Sequence, residues 1–431
     1  MHLRTASSRG VTLIDTIVGI SIMLVIFLGI FAAFELSVDV ITNNKARAGA
    51  ISLADERMEY IRSLSYAAVG TSGGIPSGTI AQSETVALNG VTYMRRTLIE
   101  YADDPKDGTG SSDSNGITAD YKAVKVDVAW TSRTGTRHIT LVTRVSPAAG
   151  LETTLAGGTL SISVLNSASS PVSGASVAIT NSSAHPAINI NTFTNSSGAV
   201  TLVGATTTGS YAVVVTDPGY STDQTYNGPP QGPLTVSANT TTTGTFRIDV
   251  LSSMTILTLA YGTGAPITAA PFSMHGAKTT STSPLTYKYN ATLGGAGSAT
   301  TTISNLEYDT YTMSVSSATG YDLAYSCAPQ PVSLAAGTAA TTTLYLAPHS
   351  TNSLAVKVVA NSNGALISGA SVRLYKTGYD TTQATDSCGQ TFFGSLSAGT
   401  YSLSVSATGH TTYNTASLSI ASTTQVQIPL N

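Results

Sequence analysis

The chain has 431 residues, a length that suits about three or four domains. Its 20 Lys and Arg against 23 Asp and Glu leave a net charge of −3 without a basic patch, so charge does not favour nucleic acid as a partner. Low charge combined with β-branched residues and Gly, Asn and Ser turns reads as sheet, not disorder, and the apolar alternation argues against a flexible Ser/Thr stalk.

Residues 1–10 form a short leader carrying Arg4 and Arg9, and Thr16 to Phe34 holds no charge. A secretory signal puts its small-residue cleavage site after the apolar run. Here Gly10 precedes the run and Asp15 follows five residues on. A cut after Gly10 would leave the apolar segment on the mature protein. The first proline is Pro76, so one helix is expected over 11–65, about 80 Å long at 1.5 Å per residue. Residues 14–34 are long enough to cross a bilayer, and the basic leader favours a cytoplasmic start. Beyond them Ile51, Ala54, Met58, Ile61 and Ser65 recur at 3–4 spacing, with Asp55, Glu56, Arg57, Glu59 and Arg62 on the other faces. That pattern predicts an apolar stripe laid on a sheet. By itself Asp15 reads either as an acid favoured by the helix dipole or as a carboxylate needing a partner in the membrane.

The Gly10 junction, the acid at Asp15 and the uncharged helix together resemble the type III signal of type IV pilins and pseudopilins. The resemblance implies a prepilin peptidase cutting after Gly10, N-methylation of Val11, and attraction of Asp15 to the N-terminal amine of a neighbouring subunit. The family usually carries Glu where this chain has Asp, one methylene shorter.

Residues 66–150 read as four antiparallel strands. Glu84–Leu88 and Val91–Tyr101 flank Asn89-Gly90, a two-residue hairpin signal. Tyr121–Thr131 and Arg137–Val145 flank a second turn, and Val124, Val126, Val128 and Trp130 alternate with Lys125, Asp127 and Ala129. One apolar face would cover the helix stripe. Glu59–Gly78 and Tyr101–Pro105 look like a subset of minor pilins of the pilin-modification type. Asp103, Asp104, Asp107 and Asp120 crowd a glycine-bent loop; hard oxygen ligands suit Ca²⁺, although the spacing is not that of an EF-hand and a solvated acidic loop gives the same pattern.

Three repeats follow, over 159–250, 251–348 and 352–431. Repeat one has Leu160-Ser-Ile162-Ser-Val164, Ser173-Gly174-Ala175-Ser176-Val177, Thr194–Gly198 and Gly209-Ser210-Tyr211. Repeat three has Leu354-Ala-Val356-Lys-Val358, Ser368-Gly369-Ala370-Ser371-Val372, Thr385–Gly389 and Gly399-Thr400-Tyr401. Repeat two is looser, with Met254–Leu259 and Asp309-Thr310-Tyr311. The pattern resembles the carboxypeptidase regulatory-like, prealbumin-type fold, one β-sandwich per repeat. Related pilus domains sometimes carry a Lys–Asn crosslink. Repeat one has no Lys, and no Glu follows Lys357, so such crosslinks are not expected. Cys327 and Cys388 fall in neighbouring repeats and would either bridge them or remain separate thiols.

The six histidines are scattered, and no zinc, nucleophile-elbow or phosphate-loop motif occurs, so no enzyme is expected. The expected architecture is an α+β pilin fold, a long helix on a four-stranded sheet, followed by three all-β Ig-like or prealbumin-like sandwiches that project outward. The expected role is that of a minor pilin-like structural or adhesive surface protein. It would start as a single-pass protein of the inner membrane and end in or at the tip of a pilus. Prepilin peptidase and other pilin subunits are the expected partners, with a surface protein or glycan as ligand. A pseudopilin of type II secretion and a membrane-anchored adhesin are the rival readings.

Overall fold

A computed structural model describes residues 13–104, 106, 119–133, 135–148, 155–295 and 297–431. It contains one long N-terminal helix followed by many β-strands in several sheets.

Helix α1 runs Leu13–Ser63 without a proline to break it. Its first part is uncharged from Thr16 to Phe34, and the large apolar side chains there are exposed. It is the one described helix long and apolar enough to cross a membrane. Its second part buries Ala46, Ala50, Leu53, Ala54, Met58 and Ile61 against an antiparallel sheet. The sheet is β1 (Ser83–Leu88), β2 (Val91–Ala102), β3 (Tyr121–Ser132) and β4 (Gly135–Val145), in that order. Ala54, Met58 and Ile61 of the expected stripe are buried, whereas Ile51 is 39% exposed and the small residues Ala46 and Ala50 continue the stripe on the sheet. Small side chains let the backbone approach closely. Gly49 shows the same demand: a Cβ there would lie 2.5 Å from the Tyr93 hydroxyl, which donates to the Ala46 carbonyl at 2.9 Å.

Polar side chains complete this unit. Arg95 reaches the Leu53 carbonyl at 3.0 Å and Glu84 at 2.9 Å, and Glu84 also pairs with Arg57. Buried Lys122 donates to the carbonyls of Tyr66 and Val69, both at 2.7 Å, just past the end of α1. Burial pushes its ammonium below the usual lysine range. At the other end Arg133, in the β3–β4 turn, pairs with Asp39 at 3.1 Å and Glu35 at 3.8 Å.

Among the described residues three two-sheet sandwiches follow, the first and third of seven strands and the second of eight with a separate two-stranded hairpin. In each, the opening strand (Gly158–Leu165, Ser252–Ala260, Ser353–Ala360) pairs in parallel with the closing strand (Thr241–Arg247, Ala339–Pro348, Thr423–Leu430). Alternate residues of the opening strand point inward: Leu160, Ile162 and Val164 in the first, Met254 and Ile256 in the second, Leu354, Val356 and Val358 in the third. Each sandwich also buries one tyrosine at the start of a strand in the facing sheet. Tyr211, Tyr311 and Tyr401 donate to the carbonyls of Thr206, Glu307 and Ser397 at 3.1, 2.8 and 2.8 Å. This corner bond satisfies a buried hydroxyl and pins the turn before the strand.

The Thr194–Gly198 and Thr385–Gly389 segments also have matching roles. The Thr194 hydroxyl donates to Val172 at 2.6 Å, and the Thr385 hydroxyl to Ile367 at 2.7 Å. The next side chain, Asn195 or Asp386, accepts two backbone N–H groups at 2.9 Å. The second sandwich diverges by insertion. It adds a hairpin (Thr279–Thr282 with Leu285–Tyr287) and an edge strand (Tyr321–Cys327) to the frame that the other two share.

Candidate functional site

Gly10, Val11 and Asp107 lie outside the described residues, and so does the side chain of Asp15, whose backbone is part of α1. Two acids of the loop are linked through the backbone. The Asp104 N–H donates to the Asp120 carboxylate at 2.6 Å, and the Lys106 N–H to Asp104 at 3.2 Å. Among the described residues, the group of ligand-type side chains that converges is Cys327, Asp386 and Cys388, which does not include Asp103, Asp104 or Asp120.

The surfaces with the densest chemistry are the seams between units. The first sandwich does not project freely, because it packs on the face of the β1–β4 sheet opposite α1. Gln82 donates to the Asn189 carbonyl at 2.8 Å and accepts from the Asn191 N–H. The Asn189 N–H donates to Gly73 at 3.0 Å; Gly73 has φ +71°, and a Cβ there would meet the Asn189 oxygen at 2.8 Å. A cavity of about 800 Å³ remains in this seam, lined by Glu100, Lys125, Asp127 and Phe193 among others. The Lys125 ammonium sits 4.1 Å from the centre of the Phe193 ring. Burial pushes the Glu100 carboxyl up to about 7, against the opposing pull of Lys125.

The seam between the first and second sandwiches is charged. Glu307 takes Lys278 on one oxygen and Lys288 on the other, both at 2.7 Å. Lys288 also donates to the Thr222 carbonyl of the first sandwich. The Lys278 ammonium lies 3.4 Å from the centre of the Tyr308 ring. Within the first sandwich, on its side of the seam, the Asp223 carboxylate accepts the Arg247 backbone N–H at 2.7 Å. Burial holds Asp223 above the usual carboxylate range and Lys278 below the usual lysine range. Both lysines stand at the feet of the inserted hairpin.

The seam between the second and third sandwiches is apolar and covalent. Ala324, Ala347 and Phe392 form a small buried cluster, with Tyr261, Tyr325 and Ala355 packed on it. Tyr261 meets Phe392 edge-on at 5.6 Å, and its hydroxyl donates to Gln383 at 2.7 Å. Gln390 donates to the Ser326 carbonyl at 2.6 Å. Beside them Cys327 and Cys388 are joined in a disulfide, with their Cα atoms 5.6 Å apart. Cys327 ends the inserted edge strand, and Cys388 lies in the turn organised by Asp386. Sequence reasoning passed over Tyr261, Glu307, Lys278 and Lys288. Their signal was weak: they fall in the repeat that aligns worst with its neighbours.

Residues 353–431, the third sandwich, match the carboxypeptidase regulatory-like domain family. No curated protein matches the chain. Among solved structures, it is similar to the Bacillus anthracis TIE protein (14% identity, 82% of this chain and 74% of that one, TM-score 0.20). It is also similar to the minor pilin of Streptococcus agalactiae (13% identity, 45% and 97%, TM-score 0.23) and to the shaft pilin of Lactobacillus rhamnosus GG (11%, 64% and 98%, TM-score 0.18).

Proposed function

We propose that the chain is a minor type IV pilin-like protein, structural or adhesive, not catalytic. One observation carries this reading. A single 51-residue helix exposes its apolar first half, which nothing among the described residues covers, and seats its second half on a four-stranded antiparallel sheet. Exposed apolar surface on that scale needs lipid or other helices around it. The leader is removed after Gly10 by a prepilin peptidase, Val11 is methylated, and Asp15 meets the amine of a neighbouring subunit. The protein first spans the inner membrane once and then enters a filament, where its bulk favours a tip or sparse position. The sandwiches, proposed as separate units over 159–250, 251–348 and 352–431, display a surface to a protein or glycan. The loop of Asp103, Asp104, Asp107 and Asp120 belongs to this proposal as a calcium site, checked by a calcium-dependent rise in melting temperature that Asp120→Asn removes.

Mass spectrometry of the mature N-terminus tests the reading. A methylated chain beginning at Val11 is expected. A chain that retains residues 1–9 would point to a simple membrane-anchored adhesin, and one trimmed beyond Phe34 would end the proposal. Immunogold labelling of sheared filaments then separates a pilus subunit from a secretion pseudopilin.

A further inference from the structure

Beside the disulfide, the second and third sandwiches leave a cleft of about 550 Å³, within the span of about 300–1,000 Å³ usual for a small-ligand pocket. One wall is the outer face of a three-stranded sheet of the third sandwich. Strand pairing sets Gln390, Lys357 and Gln427 side by side across it, on Gln390–Phe393, Ser353–Ala360 and Thr423–Leu430. The other wall belongs to the second sandwich, with Thr312, Ser314 and Gln330. The same register positions hold Ala199, Ser163 and Thr245 in the first sandwich, and Thr300, Leu257 and Thr343 in the second. The row of long polar side chains is therefore peculiar to the third sandwich and not a demand of the shared frame.

Lys357 is half-buried, and its ammonium forms no ion pair or hydrogen bond among the described residues. The lining of the cleft includes no carboxylate. An ammonium partly withdrawn from water and left unpaired favours an anion. Gln425 and Gln427 are exposed, and their amides also lack a partner among the described residues. Each amide both donates and accepts, as a sugar hydroxyl does. Backbone groups at the cleft are capped by glutamines: Gln390 donates to the Ser326 carbonyl at 2.6 Å, and the Met313 N–H donates to Gln330. An extended peptide, which binds through such backbone groups, finds them occupied. We propose that this cleft binds an acidic glycan, with a sugar carboxylate on Lys357 and sugar hydroxyls on Gln425 and Gln427. The inference rests on the surface-display reading and names the ligand class for it. The Cys327–Cys388 bond joins the two walls, so the cleft is shaped before the ligand arrives.

The full chain in detergent would be applied to an array of oligosaccharides ending in galacturonate, glucuronate or sialate, each beside its neutral counterpart. Calorimetry would then follow the best binder. The expected result is binding of an acidic sugar about tenfold tighter than of its neutral counterpart. Lys357→Gln keeps the polar stem without the charge and should weaken binding about tenfold. Ser314→Trp puts a bulky side chain at an exposed position of the opposite wall and should abolish it. Full affinity in either variant, at an unchanged melting temperature, would overturn the proposal. So would a wild-type chain that binds no acidic sugar, that binds the neutral counterpart equally, or that binds a hexapeptide of Asp and Glu as tightly. A chain methylated at Val11 that ignores acidic sugars would end this inference and leave the pilin reading standing. A chain that binds them but retains residues 1–9 would do the reverse.

Discussion

The two seams that flank the second sandwich are built in opposite ways. On the side of the first sandwich the seam is lined with charge: Lys278 and Lys288 of the second sandwich converge on their own Glu307, and Lys288 reaches across to the Thr222 carbonyl. On the side of the third, Tyr261, Tyr325 and Phe392 pack tightly and a disulfide closes the seam. Both devices come from insertions in the same sandwich. The extra hairpin brings the lysines, and the extra edge strand brings Cys327. A repeat that departs from its neighbours in sequence is here the one that connects them. The charged seam should respond to salt, whereas the apolar one should respond to packing and reduction.

Four experiments sharpen the contrast. The largest effect is expected for Phe392→Ala. Phe392 is 2% exposed at the centre of the apolar seam, and truncating it should cost about 3–5 kcal/mol, read by denaturant unfolding. Reduction, or Cys388→Ser, opens a link between residues 61 apart in sequence and should cost about 2–4 kcal/mol in the second and third sandwiches. If the two sandwiches melt identically with and without the bond, the seam is held by packing alone.

The seam between the head and the first sandwich adds a pH response. The Glu100 carboxyl is raised from its ordinary 4.5 to about 7 by burial, so the folded chain keeps a proton that the unfolded chain gives up. Stability from this group is therefore greatest below about pH 4.5 and falls as pH rises through about 7, by on the order of 2–3 kcal/mol. Glu100→Gln should flatten that slope in thermal melts across the same window; an unchanged slope would assign it elsewhere. The smallest effect belongs to the charged seam. Glu307→Gln leaves Lys278 and Lys288 without their shared carboxylate and should cost about 1–2 kcal/mol at low ionic strength, less in high salt. A loss that does not depend on salt would mean that Glu307 acts through packing.

Much of the strand pattern was legible locally. Asn89-Gly90 does sit between β1 and β2, and the Val124-to-Trp130 alternation does become the buried face of β3. The three spaced tyrosines turned out to share one bond, each to a carbonyl four or five residues back. The helix stripe was legible at Ala54, Met58 and Ile61 but not one turn earlier. Ile51 is apolar and correctly spaced, but the face that meets the sheet is chosen by Ala46, Gly49 and Ala50, whose smallness admits Tyr93. Hydrophobicity alone does not register that preference. Nor did the sequence indicate that the first sandwich covers the second face of the head sheet, because the contacts from Gln82 to Asn189 and Asn191 span more than a hundred residues.

What the chain determined by itself is what depends on near neighbours: an uncharged run long enough to span lipid, strands marked by alternation, and turns marked by Gly, Asn and Asp. Only the tertiary structure decided how the units meet. A sheet edge can accept one more strand with almost any sequence of suitable alternation, since backbone hydrogen bonds carry the pairing. The placement of Tyr321–Cys327 on that edge, and of the lysine-footed hairpin at the opposite seam, is what makes one joint covalent and lines the other with charge.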